Sequence, residues 1–213
     1  MKAIEQYELA TPSGRTLSVK WFGNVPYKQS FDEMLAFTSQ RTESDQDQVW
    51  LLEHPKVYTQ GTACDLNTLI ATDIPVVKTD RGGQITFHGP GQIVMYPLLH
   101  LPSHKLGVKS LVHALEESVI QLLAAHSLEA VRKLDAPGVY INEAKVAALG
   151  LRIRKGSSYH GLSLNVNMDM EPFSNIDPCG YRGLEVCQLS QFNIGLSVRD
   201  AGENLARRFA SLL

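Results

Sequence analysis

Residues 81–92, Arg81-Gly82-Gly83-Gln84-Ile85-Thr86-Phe87-His88-Gly89-Pro90-Gly91-Gln92, decide the fold class. A glycine pair can begin a phosphate-binding loop or a dinucleotide fingerprint, but either must open a helix. Gly82-Gly83 instead runs into a strand-like stretch, and residues 92–98 continue in the same manner. Neither a P-loop nor a Rossmann fold fits. Working outward, strand-like runs recur at 17–22, 48–52, 76–78, 138–141, 144–154 and 159–167. Helical spacing appears at 26–42, where Tyr27, Phe31, Met34, Leu35 and Thr38 share a face, and at 108–126 through Leu111, Leu115, Val119 and Leu122. A third helix starts at Ser197, where Ser197-Val198-Arg199-Asp200 reads as a capping box, and continues through Leu205, Phe209 and Leu212. Strands outnumber helices without alternating regularly. The sequence therefore predicts one α+β domain over residues 1–213, a mixed or antiparallel sheet with flanking helices.

A chain of 213 residues can bury one sizeable core, and 44% hydrophobic with 20% charged residues is ordinary soluble composition. A net charge of −2 argues against bulk binding to nucleic acid. No apolar run approaches the roughly 20 residues of a membrane span, and Met1 to Gln6 has no apolar leader pattern. Cys64, Cys179 and Cys187 are an odd number at irregular spacing, which points to a reducing cytoplasm and free thiols.

Three segments carry chemistry. In 81–92, four glycines and a proline bracket a short strand, so two tight turns would present Arg81, Gln84 and His88 beside exposed backbone N–H groups; a plain hairpin is the blander reading. In 144–154, alternation places Lys145 on the face of Ala147, Leu149, Leu151 and Ile153, opposite Arg152 and Arg154. Such a lysine either snorkels from a strand start or is partly buried, and a partly buried lysine is a candidate base. In Asn175-Ile176-Asp177-Pro178-Cys179-Gly180, Pro178 and Gly180 put Cys179 in a turn, where a thiol can be accessible; Cys187, in an apolar run, reads as a core residue. The separations of His54, His88 and His160 match no local metal spacing, and Glu116-Glu117 reads as a solvated helix face.

Taken together, these blocks resemble the octanoyltransferases of lipoate biosynthesis, the lipoyl(octanoyl) transferase family. The resemblance rests on 81–92, Lys145-Val146-Ala147-Ala148-Leu149-Gly150, Tyr159-His160-Gly161-Leu162-Ser163-Leu164-Asn165, Asp177-Pro178-Cys179-Gly180, and the upstream Glu53-His54-Pro55-Lys56-Val57-Tyr58-Thr59-Gln60-Gly61. It covers roughly residues 48–185 in consistent order, departing at Ser163, where the family commonly has alanine. It implies a fold like the catalytic domain of biotin and lipoate protein ligases. It implies Cys179 as acyl-accepting nucleophile and Lys145 as acid/base partner. Arg81, Gly82, Gly83, Gln84, Ile85, Thr86, Phe87, His88, Ala148, Leu149, Gly150, Gly161, Leu162 and Ser163 would line the acyl site. The implied donor is octanoyl-acyl carrier protein. The implied acceptors are lipoyl domains of 2-oxo acid dehydrogenase complexes and the glycine cleavage H protein. No metal, cofactor, nucleic acid or membrane is expected, and the enzyme would be a cytoplasmic monomer. Lys133, Arg152, Arg154 and Lys155 could form a docking patch for acidic partners, scattered solvated charges being the alternative. Rival readings are an ATP-dependent lipoate or octanoate protein ligase on the same fold, a thioesterase using the same dyad, and a non-catalytic module that binds carrier proteins.

Overall fold

A computed structural model describes residues 1–64, 73–134, 136–176 and 184–213. Its elements, in chain order, are β1 (Glu5–Ala10), β2 (Thr16–Asn24), α1 (Tyr27–Gln40), β3 (Asp47–Glu53), β4 (Val57–Gln60), β5 (Val76–Lys78), β6 (Ile85–His88) and β7 (Gln92–Leu98). Then follow α2 (Val108–Ala124), β8 (Val131–Arg132), β9 (Gly138–Ile141), β10 (Ala144–Arg154), β11 (Ser157–Asn165) and α3 (Val198–Ser211). Among the described residues, eight strands form a large sheet in the order β1-β2-β3-β7-β11-β10-β9-β8, and β5-β4-β6 form a small one. The large sheet is mixed: β2 and β3 run parallel through the α1 crossover, and its other pairs are antiparallel. The α+β expectation holds.

Both faces of the large sheet are covered, and alternation in the central strand β7 shows how. Ile93 and Met95 enter a core with Leu111, Leu115, Val119 and Leu122 of α2 and Leu205 and Phe209 of α3. Val94, Tyr96 and Leu98 face the other way, onto Met34 of α1 with Phe22 and Trp50. A strand covered on both sides reads as an uninterrupted apolar run, as 92–98 does. The small sheet packs a third cluster, Tyr58, Ile85 and Phe87 against Phe173.

The ends are fixed locally. Ser197 caps α3, its hydroxyl accepting the Asp200 N–H at 3.1 Å, a cap worth about 1 kcal/mol. At the start of β3, the buried Asp47 carboxylate accepts from Arg41 at 2.6 Å, His104 at 2.7 Å and the His100 N–H at 2.8 Å. The sheet's outermost strands are the largely exposed, polar β1 and the two-residue β8.

Candidate active site

On the sheet face away from α2 and α3, a cavity enclosing about 740 Å³ of space between atoms, its mouth included, lies between β10, β11 and the 81–88 segment. Of the sequence-predicted residues, Arg81, Gly83, Gln84, Ile85, Thr86, His88, Lys145, Ala148, Leu149, Gly150, Gly161, Leu162 and Ser163 line it. Gly82 and Phe87 do not. The Phe87 ring is 5.4 Å from that of Tyr58 and 5.5 Å from that of Phe173, inside the third cluster. Gly82 instead anchors its loop, its N–H donating to the Leu151 carbonyl of β10 at 3.0 Å. The loop can lie that close because residue 150 is glycine: a Cβ there would sit 2.9 Å from the Gly82 oxygen.

Lys145 is at this wall, only 3% exposed, with Nζ donating to the Pro137 carbonyl at 3.1 Å and standing 5.2 Å from the Tyr140 ring centroid. Snorkelling is ruled out. Its face also differs from the one that alternation predicts. The β9–β10 register jumps at Val146: Lys145 pairs with Tyr140, but Ala147 pairs with Val139. This bulge leaves Ala147, Leu149, Leu151 and Ile153 packed on the helix-side core, Ala147 and Leu149 still bordering the cavity, and hands Lys145 to the cavity side with Ala148 and Gly150. A second break in alternation occurs at His160, whose φ of +57° turns its ring to the same side as that of Tyr159, the two stacking at 5.0 Å.

The three separated histidines converge on Tyr27 of α1. Its ring is 5.0 Å from that of His54 and 5.8 Å from that of His88, and its hydroxyl is 3.4 Å from His160 Nδ1. Burial holds His54 down at about 4 and His88 at about 3, and it lowers His160 as well, so all three are neutral at pH 7. Their partners fix the tautomers. The Val25 carbonyl can only accept, so His54 donates from Nδ1 at 2.6 Å and accepts from Tyr96 OH at Nε2. His88 donates from Nδ1 to Gln92 Oε1 at 2.7 Å and accepts at Nε2 from the Thr59 hydroxyl, itself bonded by Arg81. Gln92 Nε2 donates to Asn165 Oδ1 at 2.9 Å, and Asn165 Nδ2 to the Cys187 carbonyl at 2.9 Å. A continuous chain thus ties the glycine loop to the 185–187 segment beside Lys145. His160 donates to Asp80 at 2.9 Å, and that bond above all holds the Asp80 carboxyl below its usual range.

Tyr27, Val94, Tyr96, Phe173 and Val186 also line the cavity, drawn from elements that no local pattern connects. Gln92, His160 and Asn165 stand within the quoted sequence blocks without a role assigned there; their burial beside a glycine-rich turn is the signal that would have found them. Cys179 lies outside the described residues. On either side of it, Phe173 and Val186 both line the cavity, and residues 185–187 bond to the Lys145 backbone at 2.8 and 3.0 Å. Cys187 is the core residue predicted: burial pushes its thiol up to about 11. Glu116 corrects the expectation of a solvated face, for it is 5% exposed and only its neighbour Glu117 reaches solvent. Lys133 leaves the basic patch, since Glu143 pairs it.

The fold is that of the lipoyl protein ligase A/B catalytic domain. That family's sequence pattern matches residues 25–210, and the chain belongs to it. Within the family it groups with transferases: it is 52% identical over 198 residues to the octanoyltransferase of Marinobacter nauticus, covering 92% of each chain. The fold is shared with the bipartite lipoate protein ligase of Thermoplasma acidophilum (TM-score 0.71, 16% identity, 90% of this chain and 81% of that one). It is shared more loosely with the biotin protein ligase of Aquifex aeolicus (TM-score 0.54, 15% identity, 90% and 66%).

Proposed function

We propose that this enzyme moves an octanoyl group from octanoyl-acyl carrier protein to a lysine of lipoyl domains, carrying it on Cys179 as a thioester in between. The acceptors are the lipoyl domains of 2-oxo acid dehydrogenase complexes and the glycine cleavage H protein, and the enzyme acts as a cytoplasmic monomer. The observation that carries this reading is Lys145, a buried lysine held at the wall of the cavity beneath the glycine loop. A purely structural lysine has little reason to be there, because burying its charge is costly.

In the first step Lys145 takes the Cys179 thiol proton, the thiolate attacks the thioester carbonyl, and the phosphopantetheine thiolate leaves and regains the proton from Lys145. In the second, the acceptor lysine amine attacks the acyl-cysteine, its proton passes through Lys145 to the departing Cys179 sulfur, and an amide remains. Thioester exchange is near isoenergetic and amide formation is downhill, so ATP is not needed. Neither step calls on a metal or bound cofactor. The neutral histidines add no positive charge beside the glycine loop, so the reacting groups meet Arg81 as the cationic side chain from that loop.

Intact-mass spectrometry after mixing with octanoyl-acyl carrier protein tests the proposal. Wild type and Cys187→Ala should gain one hydroxylamine-labile octanoyl group, Cys179→Ala none, and Lys145→Ala should gain it slowly. An unmodified wild type, or full transfer by Cys179→Ala, would overturn the cysteine route and bring an ATP-dependent ligase forward.

A further inference from the structure

Helix α2 buries a carboxylate that the transfer chemistry does not use. Glu116 faces the sheet, and its Oε1 accepts the N–H of Gly138 at 3.0 Å. Its Oε2 lies 3.6 Å from Arg132 Nε. The Gly138 N–H belongs to the peptide unit whose other end is the Pro137 carbonyl, and that carbonyl receives Lys145 Nζ at 3.1 Å. One rigid peptide plane therefore stands between the carboxylate and the lysine, since rotation about its C–N bond is blocked. The plane is held on further sides. Tyr140 OH donates to the preceding Ala136 carbonyl at 2.8 Å. Gly138, at φ +143°, has no room for a side chain: a Cβ would meet Lys145 Cε at 3.0 Å and the Ala147 oxygen at 2.7 Å.

We propose that Glu116 is a positioning residue for Lys145, acting through the Pro137–Gly138 peptide. The inference rests on the acid/base reading of Lys145 given above. By fixing the N–H end of the plane, the carboxylate aims the carbonyl at Nζ and polarises it, which suits a lysine that becomes an ammonium in each half of the reaction. Without an acceptor at position 116, the N–H would be buried unsatisfied and the plane free to tip, moving Nζ from its site. Misplacement of a reacting group on the ångström scale costs up to about a hundredfold in rate.

A double-mutant cycle on the full-length enzyme tests this, reading steady-state octanoyl transfer, single-turnover acylation and thermal unfolding together. Glu116→Ala should lower kcat at least about tenfold with little change in KM. Glu116→Gln keeps an oxygen for the Gly138 N–H and should recover most of that rate. Adding Glu116→Ala to Lys145→Ala should slow acylation no further, because the carboxylate acts only through the lysine. If the Glu116→Ala loss persists in full on the Lys145→Ala background, or if Glu116→Gln is as slow as Glu116→Ala, the positioning role is wrong. Lys145→Ala alone reports on the underlying reading: wild-type speed there would remove the acid/base lysine, and the role of Glu116 with it.

Discussion

Acidification should unfold this protein through the histidines beneath its cavity, before the depressed carboxylates of Asp47 and Asp80 titrate. In the folded state burial holds His54 at about 4 and His88 at about 3; in the unfolded chain both return to about 6.5. A base with a depressed folded value is fully stabilising only above its unfolded value. Below about pH 6.5 the unfolded state binds the extra proton and stability falls. At pH 5 each group has cost about 2 kcal/mol relative to pH 7.5, so the pair costs about 4 kcal/mol, a large share of a typical domain's stability. His160, lowered by the same burial, acts in the same direction. Depressed carboxylates such as Asp47 and Asp80 weaken the fold only at lower pH, below about 4. Urea unfolding at half-unit pH steps from 7.5 to 5 would measure the slope. His88→Gln should cut the loss by about half whatever its effect at neutral pH. A flat profile over this range, or a slope unchanged in His88→Gln, would refute the neutral buried histidines.

Asp47→Ala should destabilise by about 3 kcal/mol and lower Tm by about 6–12 °C, since it strips the carboxylate from a buried Arg41 whose remaining hydrogen bonds go to carbonyls; calorimetry showing less than about 3 °C would count against it. Gly150→Ala should slow acylation at least about tenfold while the protein still folds, because the new Cβ pushes the Gly82 carbonyl and with it the cavity wall; wild-type kinetics would show that the close approach is dispensable. Reversing Arg152, Arg154 and Lys155 to glutamate should raise the carrier-protein KM at low salt and have little effect at high salt; a salt-independent KM for wild type would remove the docking role of this exposed group.

Much of the fold was legible because several strands obey simple rules. β5, β7, β9 and β10 fall on the predicted residues, each bounded by turn or polar residues. β1 escaped notice because only Tyr7 and Leu9 of it reach the core, too short an alternation to stand out, while Glu5, Gln6 and Glu8 are solvated. The cavity's glycine blocks were legible too, and all but Gly82 and Phe87 of the residues expected to line it do so. Lys145 was found for a reason that the structure revises. Strict alternation faced it toward the helices, and only a register jump at Val146, which has no signature in one sequence, turns it to the cavity. The burial of Glu116 was equally hidden, because its partner is a backbone N–H twenty-two residues away. Tyr27 and the histidines it gathers are products of tertiary packing alone.

The large sheet also sets how another protein can approach. On one side it ends in β1, where Glu5 and Glu8 are exposed and Glu5 is paired by Arg199. On the other it ends in β8, too short to template a further strand. Neither margin invites backbone-to-backbone extension. A visiting domain must therefore be recognised by surface shape and charge around the cavity mouth, contacts that form and release quickly. That suits a transferase, which must release what it has modified in every cycle.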